Sequence, residues 1–513
     1  MASEKSSIPN FAPTPTFWWI ALGVLLLTQI LFRSHLLSIP FERDEGEYAY
    51  LGQLVLQGVP PFQDAANMKL PGTNLMYALF MVVFGQSVWG IHLGLLCMSL
   101  GTMTLLYLAF RRFYNPLVGI LAVGLYSLMS LSIPVLGFAA HATHFIVFFM
   151  AAGWLALVYF AEKPQAKQAF IAGLLFGLSF LMKQQALFYV AFGGLFILAT
   201  LYFQKKLTVA SALPYVSRYL AGVALPYLLL VLWLVASGTF GAFWFWTVQY
   251  ASSYAGGAEA KSIPTLFGQA FFPLFTEFPL FWILGLAGFR ILFWGNYTPF
   301  QKTIALLFGA LSLVSVLPGF YFRYHYTILF LPALGLLFAL SLDVAVQHLT
   351  TATRYPFWPF LPLGLFVLVG LTFYADNEGY LNSTPPEGIS RQVYTGNAFA
   401  ESPRIARYIQ QRTLPTDKIA VLGSEPQLFV YSGRRSATRH IYTYGLMEDQ
   451  PYNLRMQEEM ILDIEKAKPK FIVYYGISAS WIQRVRSPLR IFQWSDQYLT
   501  KNYVLSGAAD VRR

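Results

Sequence analysis

A single cysteine, Cys97, among 513 residues excludes a disulfide within the chain and leaves no thiolate cluster for a metal. It lies in an apolar run and is expected to pack there. Charge is scarce too: Asp, Glu, Lys and Arg make up 12% of the chain against 56% hydrophobic residues. Those proportions exclude an ordinary soluble domain and fit a polytopic α-helical membrane protein. The chain has no glycine-rich phosphate fingerprint, and the turn Gly423-Ser424-Glu425 after a strand-like run reads as a simple turn or a ligand contact. An internal repeat with charges at mid-bilayer depth, the mark of a secondary transporter, is also missing. The net charge of +11 does not point to nucleic acid, because most bases outside the C-terminal segment sit at the ends of apolar runs, where bilayer orientation accounts for them.

The long apolar runs are what the chain has in abundance. Residues 1–16 are a polar tail with Pro9, Pro13 and Pro15. The run 17–32 has no small-residue cleavage pattern after it and is followed by Arg33, Ser34 and His35, so it reads as a retained transmembrane helix. Further spans are expected at 88–110, 117–133, 143–161, 169–182, 185–203, 219–237, 278–294, 303–319, 326–344 and 357–374, about eleven helices in all. With a cytoplasmic N-terminus, one set of connections carries Arg111-Arg112, Lys163, Lys167, Lys205-Lys206, Arg218, Arg290, Lys302 and Arg354. The other set carries only the isolated bases Lys69, Lys183, Lys261 and Arg323, besides Arg43. That asymmetry follows the positive-inside rule and places the C-terminus outside.

Two outer segments are long. Residues 37–87 contain an apolar stretch, 75–85, too short to span and expected to lie in the interface. Residues 238–277 hold Trp244, Trp246, Tyr250 and Tyr254 beside Gly256-Gly257, a composition equally suited to a mobile substrate gate and to a membrane-surface anchor. After the transmembrane part, 17–375, the character changes. A helix is expected at 402–412, with Ser402 as N-cap and Pro403 at its first position, and buried strands at 419–423 and 471–475, with a charged helix at 454–467 between them. Residues 376–513 therefore read as a small soluble α/β domain outside the membrane.

The stretch Phe41-Glu42-Arg43-Asp44-Glu45-Gly46-Glu47-Tyr48-Ala49-Tyr50 places four acids within six positions just where the first helix emerges into water. Carboxylates near hydrocarbon are costly unless they face water or a partner, so the stretch reads as the lip of a membrane-bound active site. With Gly58-Val59-Pro60-Pro61-Phe62-Gln63-Asp64 and Lys69-Leu70-Pro71 it resembles the first outer loop of the GT-C class of membrane glycosyltransferases. The resemblance is to bacterial members related to the protein O-mannosyltransferases and the aminoarabinose transferases of lipid A. The run 177–184, ending in Lys183-Gln184, and Phe320-Tyr321-Phe322-Arg323-Tyr324-His325-Tyr326 are similar to later stretches of the family, so the resemblance spans about 15–375.

The resemblance implies a bacterial inner-membrane enzyme that moves a sugar, with inversion, from a polyprenyl-phosphate donor to an acceptor on the outer face. The residues fit that chemistry. An attacking hydroxyl needs a carboxylate base, for which Asp44 is the first choice and Glu45 the second. The departing phosphate needs fixed cations, and Lys69, Lys183, Arg323 and His325 map to the same face. Where several relatives carry a second acid, this chain has His141-Ala142-Thr143-His144; the pair could bind a divalent metal with Asp44, touch phosphate, or only line a polar entrance. Each other residue has a plainer reading: Lys183 snorkels to the interface, Arg323 pairs with Glu277, Glu47 orients Asp44, and Asp64 caps a turn. His92 and His348 have no companion signal. The rival functions are a transporter or flippase for lipid-linked glycans, a polymerase or ligase acting on such glycans, and a non-catalytic platform.

Overall fold

The computed structural model describes residues 13–255, 262–353, 355 and 357–511. Each of the eleven apolar stretches coincides with a helix. They include α1 (Pro15–Leu36), α4 (Val88–Phe113), α5 (Pro116–Met129), α6 (Ala142–Glu162), α7 (Ala166–Met182), α8 (Leu187–Phe203) and α9 (Val209–Ala236), and later Leu331–Thr353 and Phe360–Asp376. Two further helices come earlier in the chain, α2 (Arg43–Leu56) and α3 (Gly72–Phe84), the latter on the stretch expected at the interface. Among the described residues six helices are long and apolar enough to cross a bilayer, or seven if the pair Ile263–Glu277 and Pro279–Trp294, bent by 107°, is one span. The expected count of eleven therefore depends also on four shorter helices of the set, each below the roughly 20 residues that about 30 Å of hydrocarbon requires. α9 begins ten residues before the expected span, because Pro214 and Arg218 lie inside the helix instead of marking its start.

The helices approach closely where glycine allows it. A Cβ on Gly173 of α7 would stand 2.0 Å from the Tyr219 carbonyl of α9, and one on Gly222 would stand 2.3 Å from the Phe170 carbonyl, so these two backbones touch. Cys97 lies on an exposed face of α4 and not in packing, a correction that follows from α4 turning that face away from its neighbours. Arg33 in α1 is buried with no carboxylate partner among the described residues; its guanidinium donates to the Gly137 carbonyl at 2.7 Å, the Ser130 carbonyl at 3.0 Å and Gln29 at 2.7 Å. Those bonds tie α1 to the segment that leads into His141.

The C-terminal part carries a parallel three-stranded sheet of order β2-β1-β3, with β1 at Lys418–Leu422, β2 at Arg435–Ser436 and β3 at Phe471–Tyr474. The helix Asn453–Ala467 lies between β2 and β3 in sequence. Glu401, one residue before the expected cap, holds the N-cap position of the helix Ser402–Gln410 while its side chain accepts from Arg391 at 2.9 Å, and Ser402 donates to the Ala398 carbonyl at 2.8 Å.

This part does not hang free. Tyr50, Leu51 and Leu54 of α2 share one apolar cluster with Ile419, Val421, Leu428 and Phe429, each fully buried side chain worth about 1.5–3 kcal/mol. Gly46 makes the approach possible: a Cβ there would lie 2.5 Å from the backbone nitrogen of Gln427. In the aromatic segment, Phe240–Trp244 runs into a π-helical turn, Phe245–Tyr250. Trp244 is exposed while Trp246 is buried against His440, so one face of this segment is free and the other packs on the C-terminal part. Gly256-Gly257, Lys261 and Arg354 lie outside the described residues, as does the side chain of Tyr254.

Candidate active site

The acidic stretch forms the first turn of α2. Glu42 is its N-cap, accepting from the Glu45 N–H at 2.9 Å, and Asp44 and Glu45 follow where the helix N-terminus favours negative charge. The helix stops at Gly58, whose φ of +78° only glycine adopts readily, and Pro60-Pro61 then turn the chain back towards Lys69. The Lys69 ammonium sits between two carboxylates, 2.9 Å from Asp44 Oδ1 and 2.6 Å from Glu47 Oε2. It also lies 4.5 Å from the Tyr48 ring centre. Burial opposes ionisation of Asp44, but the ammonium of Lys69, helped by His141 and Lys183, holds its carboxyl far below the usual range. Glu47 goes the other way: burial raises it despite Lys69, with Asp44 adding to the rise.

Glu45, the second candidate base, is placed differently. It is buried, with Oε1 accepting from His92 at 2.9 Å and from the Ala140 N–H at 2.7 Å, and it does not line the cavity that Asp44 faces. His92, which had no companion in the sequence, thus has one in space.

The cavity holds about 780 Å³, room for a sugar and its phosphate. Glu42, Asp44, Glu47, Lys69, His141, Lys183, Arg323 and His325 all line it. Lys183 follows α7 in an extended conformation, its Nζ 4.1 Å from the Tyr326 ring centre. Burial, with Lys69 adding to the effect, pushes it down to about 7. Arg323 stands 5.7 Å from the ring centre of Tyr321. Its loop is strained: Phe320 and Phe322 have φ of 52° and 42°, a region bulky residues avoid. Glu277, the alternative partner considered for Arg323, takes bonds from Ser132 and Asn377.

The expected histidine pair is corrected. His141 is the N-cap of α6 with extended backbone (φ −66°, ψ 152°), so the helical spacing that would align it with His144 does not apply. His141 instead stacks on His325, ring centres 3.9 Å apart, and His144 does not line the cavity. Among the described residues, the ligand atoms of Asp44, His141 and His325 lie within 4.8 Å of one another. Both nitrogens of His141 are buried without a hydrogen-bond partner. Burial lowers His141 to about 4 and lowers His325 too, keeping both imidazoles neutral and able to ligate. Three ligands at about 2.1 Å from a divalent ion would need mutual separations below about 4.2 Å, so a small closure would let these side chains hold one, with an open position left over.

Sequence reasoning missed the contribution of the C-terminal part. Tyr442, Tyr444, Glu448 and His440 line the cavity, as do Trp246 and Tyr250. The Tyr442 hydroxyl donates to Asp44 Oδ1 at 3.2 Å, and Tyr250 donates to Glu448 at 2.7 Å. No local pattern marks these residues; only the aromatic density of Tyr442-Thr443-Tyr444 could have drawn attention. Gly423-Ser424-Glu425 is a structural turn, since Arg43 donates to the Ser424 carbonyl and pairs with Glu425 at 2.7 Å. Asp64 pairs with Arg435 at 3.7 Å.

Solved structures share this helical fold. The oligosaccharyltransferase of Archaeoglobus fulgidus tethered with an acceptor peptide is 11% identical, with a TM-score of 0.55 over 90% of this chain and 69% of that one. The same protein in complex with Zn and sulfate is 12% identical, with a TM-score of 0.50 over 88% and 67%. ArnT from Cupriavidus metallidurans in the apo state aligns more weakly, at a TM-score of 0.49 and 16% identity over 82% and 85%. No curated protein matches the sequence. The fold is that of these oligosaccharyltransferase structures. Residues 68–233, about a third of the chain, match the model of the dolichyl-phosphate-mannose-protein mannosyltransferase family. The matched stretch includes Lys69, His141 and Lys183 and stops short of Asp44 and Arg323.

Proposed function

We propose that this integral membrane protein is an inverting glycosyltransferase that moves a sugar from a polyprenyl-phosphate donor to an acceptor on the outer face of the membrane. The observation that carries the reading is the convergence, on one cavity of about 780 Å³, of the ionised Asp44 with Lys183, Arg323 and His325. The acceptor hydroxyl or amine attacks the anomeric carbon while the bond from that carbon to the phosphate oxygen breaks. The electron pair leaves with the phosphate, and the acceptor's proton passes to the Asp44 carboxylate. A base held far below the usual carboxylate range is a weak one, so proton transfer comes late, once the acceptor oxygen has gained positive charge. Lys183 and Arg323 stabilise the charge that gathers on the leaving phosphate. Trp246, Tyr250, Tyr444 and Glu448 in the cavity lining offer aromatic faces and a carboxylate suited to a polyhydroxylated acceptor. As an alternative to the base role, Asp44 with His141 and His325 would hold a divalent ion that neutralises charge on the leaving phosphate; the zinc and sulfate bound by the archaeal neighbour support this choice of ligand class.

The test is turnover by purified full-length protein with a panel of radiolabelled polyprenyl-phosphate sugars. Transfer or slow hydrolysis of one of them is expected, with a loss of at least about a hundredfold in kcat for Asp44→Asn. An Asp44→Asn protein as active as the wild type would remove the proposed base.

A further inference from the structure

We propose that Tyr442, delivered by the C-terminal part of the chain, is a positioning residue for the catalytic carboxylate of Asp44, so that the active site is incomplete without that part. The inference rests on the reading of Asp44 as the base.

The geometry is specific to the atom. Asp44 Oδ1 accepts from two donors, Lys69 Nζ at 2.9 Å and the Tyr442 hydroxyl at 3.2 Å, while Oδ2 accepts no hydrogen bond from any described residue. Two donors on one oxygen fix the plane of the carboxylate and leave the other oxygen to take a proton. Lys69 alone does not fix that plane, because it is a rotatable ammonium shared with Glu47. Tyr442 supplies the second direction from a different part of the fold.

The segment bearing Tyr442 is held for this purpose on both sides. Next to it, the Thr443 N–H donates to Ser424 Oγ at 2.9 Å, and the Tyr444 hydroxyl donates to the Ala479 carbonyl at 2.7 Å. Earlier in the segment, the Ser436 N–H donates to the Tyr50 hydroxyl of α2 at 2.8 Å. The Arg43 guanidinium, one residue before Asp44, reaches across to Glu425 at 2.7 Å, to Asn397 at 3.0 Å and to the Ser424 carbonyl. The same Ser424 therefore anchors both Arg43 and Thr443, so α2 and the tyrosine loop share one fixed point. The Tyr442 ring packs edge-on against Tyr444, centres 4.8 Å apart, which restrains where its hydroxyl can go. A tyrosine present only to fill space would not need its hydroxyl on the one carboxylate oxygen that also carries Lys69.

The test uses full-length protein in lipid nanodiscs and the radiolabelled polyprenyl-phosphate sugar that the wild type turns over. Tyr442→Phe keeps the ring and its packing, and it should leave the unfolding temperature and the donor KM within about twofold of wild-type behaviour while lowering kcat roughly tenfold, the effect of one hydrogen bond to a charged group. Tyr503→Phe, which loses a comparable bond to the Pro469 carbonyl elsewhere in the C-terminal part, should leave kcat unchanged. The deciding measurement is a double-mutant cycle with Asp44→Glu, whose carboxylate is displaced from the tyrosine: there Tyr442→Phe should cost less than about twofold. An equal loss on both backgrounds, a change in KM alone, or no loss at all would overturn the positioning role. Undiminished turnover by Asp44→Asn would instead overturn the reading of Asp44 on which the role depends, and the two failures are told apart by that single variant.

Discussion

Replacing Lys69 with methionine removes the one cation that separates Asp44 from Glu47, and it should damage the protein in two measurable ways. All three groups are largely out of water, with side-chain exposures of 17% for Lys69, 22% for Asp44 and 4% for Glu47. Deleting one partner of a buried ion pair typically costs about 3–5 kcal/mol, because the charge left behind has no compensation. Here Glu47, already raised by burial, can take up a proton and recover part of that loss, so a cost near the low end, about 3 kcal/mol, is expected. The sign of the pH dependence follows. In the wild type Asp44 is lowered, so its contribution is present above the usual carboxylate range and is lost as pH falls towards its folded value. In Lys69→Met both carboxyls bind protons more readily when folded, so acidification from pH 7.5 to 5.5 should stabilise the variant relative to the wild type. Thermal unfolding in detergent across that range reads both effects, and kcat should fall with them because Asp44 loses its ionised state. A variant that unfolds at the wild-type temperature at every pH would refute the argument that these three groups form one electrostatic unit.

The other expectations concern neighbouring devices. Glu425→Gln should loosen the C-terminal part by about 3 kcal/mol, since it strands Arg43, and limited proteolysis should then cut between 376 and 436 faster; unchanged cleavage would count against the Arg43 latch. Gly46→Val should do the same through sterics, as its Cβ would meet Gln427 at 2.5 Å, and a variant with normal protease resistance would contradict the close approach. Lys183, pushed down to about 7 from an ordinary 10.5, should lose its charge in the native state as pH rises through 7, so donor KM should climb between pH 6 and 8.5 in the wild type and stay flat in Lys183→Met. The native state then lacks a proton that the unfolded chain holds, and stability should rise across the window from about 7 to 10.5. Zinc titrated into metal-free protein should bind more weakly, by tenfold or more, after His141→Ala but not after His144→Ala, measured calorimetrically; equal loss in both would return the metal reading to the original pair.

What the sequence could and could not disclose divides along a physical line. Apolar periodicity depends on neighbours within a turn or two, so the positions of the eleven apolar helices and of strands β1 and β3 were legible from composition and spacing. Whether a short helix such as Pro116–Met129 crosses the bilayer depends on tilt and on its partners, which no local pattern records. The acids of α2 and the cations Lys69, Lys183 and Arg323 stood out because charge is rare in this chain. Their pairings did not. His141 joined His325 and not His144 because an N-cap residue leaves the helical geometry, and a spacing rule cannot see where a helix begins to within one residue. Glu45 was indistinguishable from Asp44 in sequence, yet one helix position turns it into the bundle to meet His92. Tyr442 lies 398 residues from Asp44, a separation at which only the folded chain brings chemistry together.

These placements bear on why the Asp44 carboxylate is so heavily guarded. On the proposed reading, a polyprenyl-phosphate donor would deliver negative charge into a cavity that already contains Glu42, Asp44, Glu47 and Glu448. Glu42 is itself raised well above its usual range, by burial and then by Asp44 and Glu45, which shows how little further anionic charge the helix start tolerates without compensation. If Asp44 stood free it too would protonate, and a protonated acid cannot accept the acceptor's proton. Lys69 holds it ionised, on the proposed reading Tyr442 orients it, and Lys183 and Arg323 line the same cavity. On the proposed reading Lys69 serves the protein's own carboxylates, Asp44 and Glu47, and Lys183 and Arg323 serve the donor. It follows that Lys69→Met and Lys183→Met should fail differently, the first in kcat and folding, the second in donor KM, and variants with interchangeable defects would show that the cations act as a single undivided field.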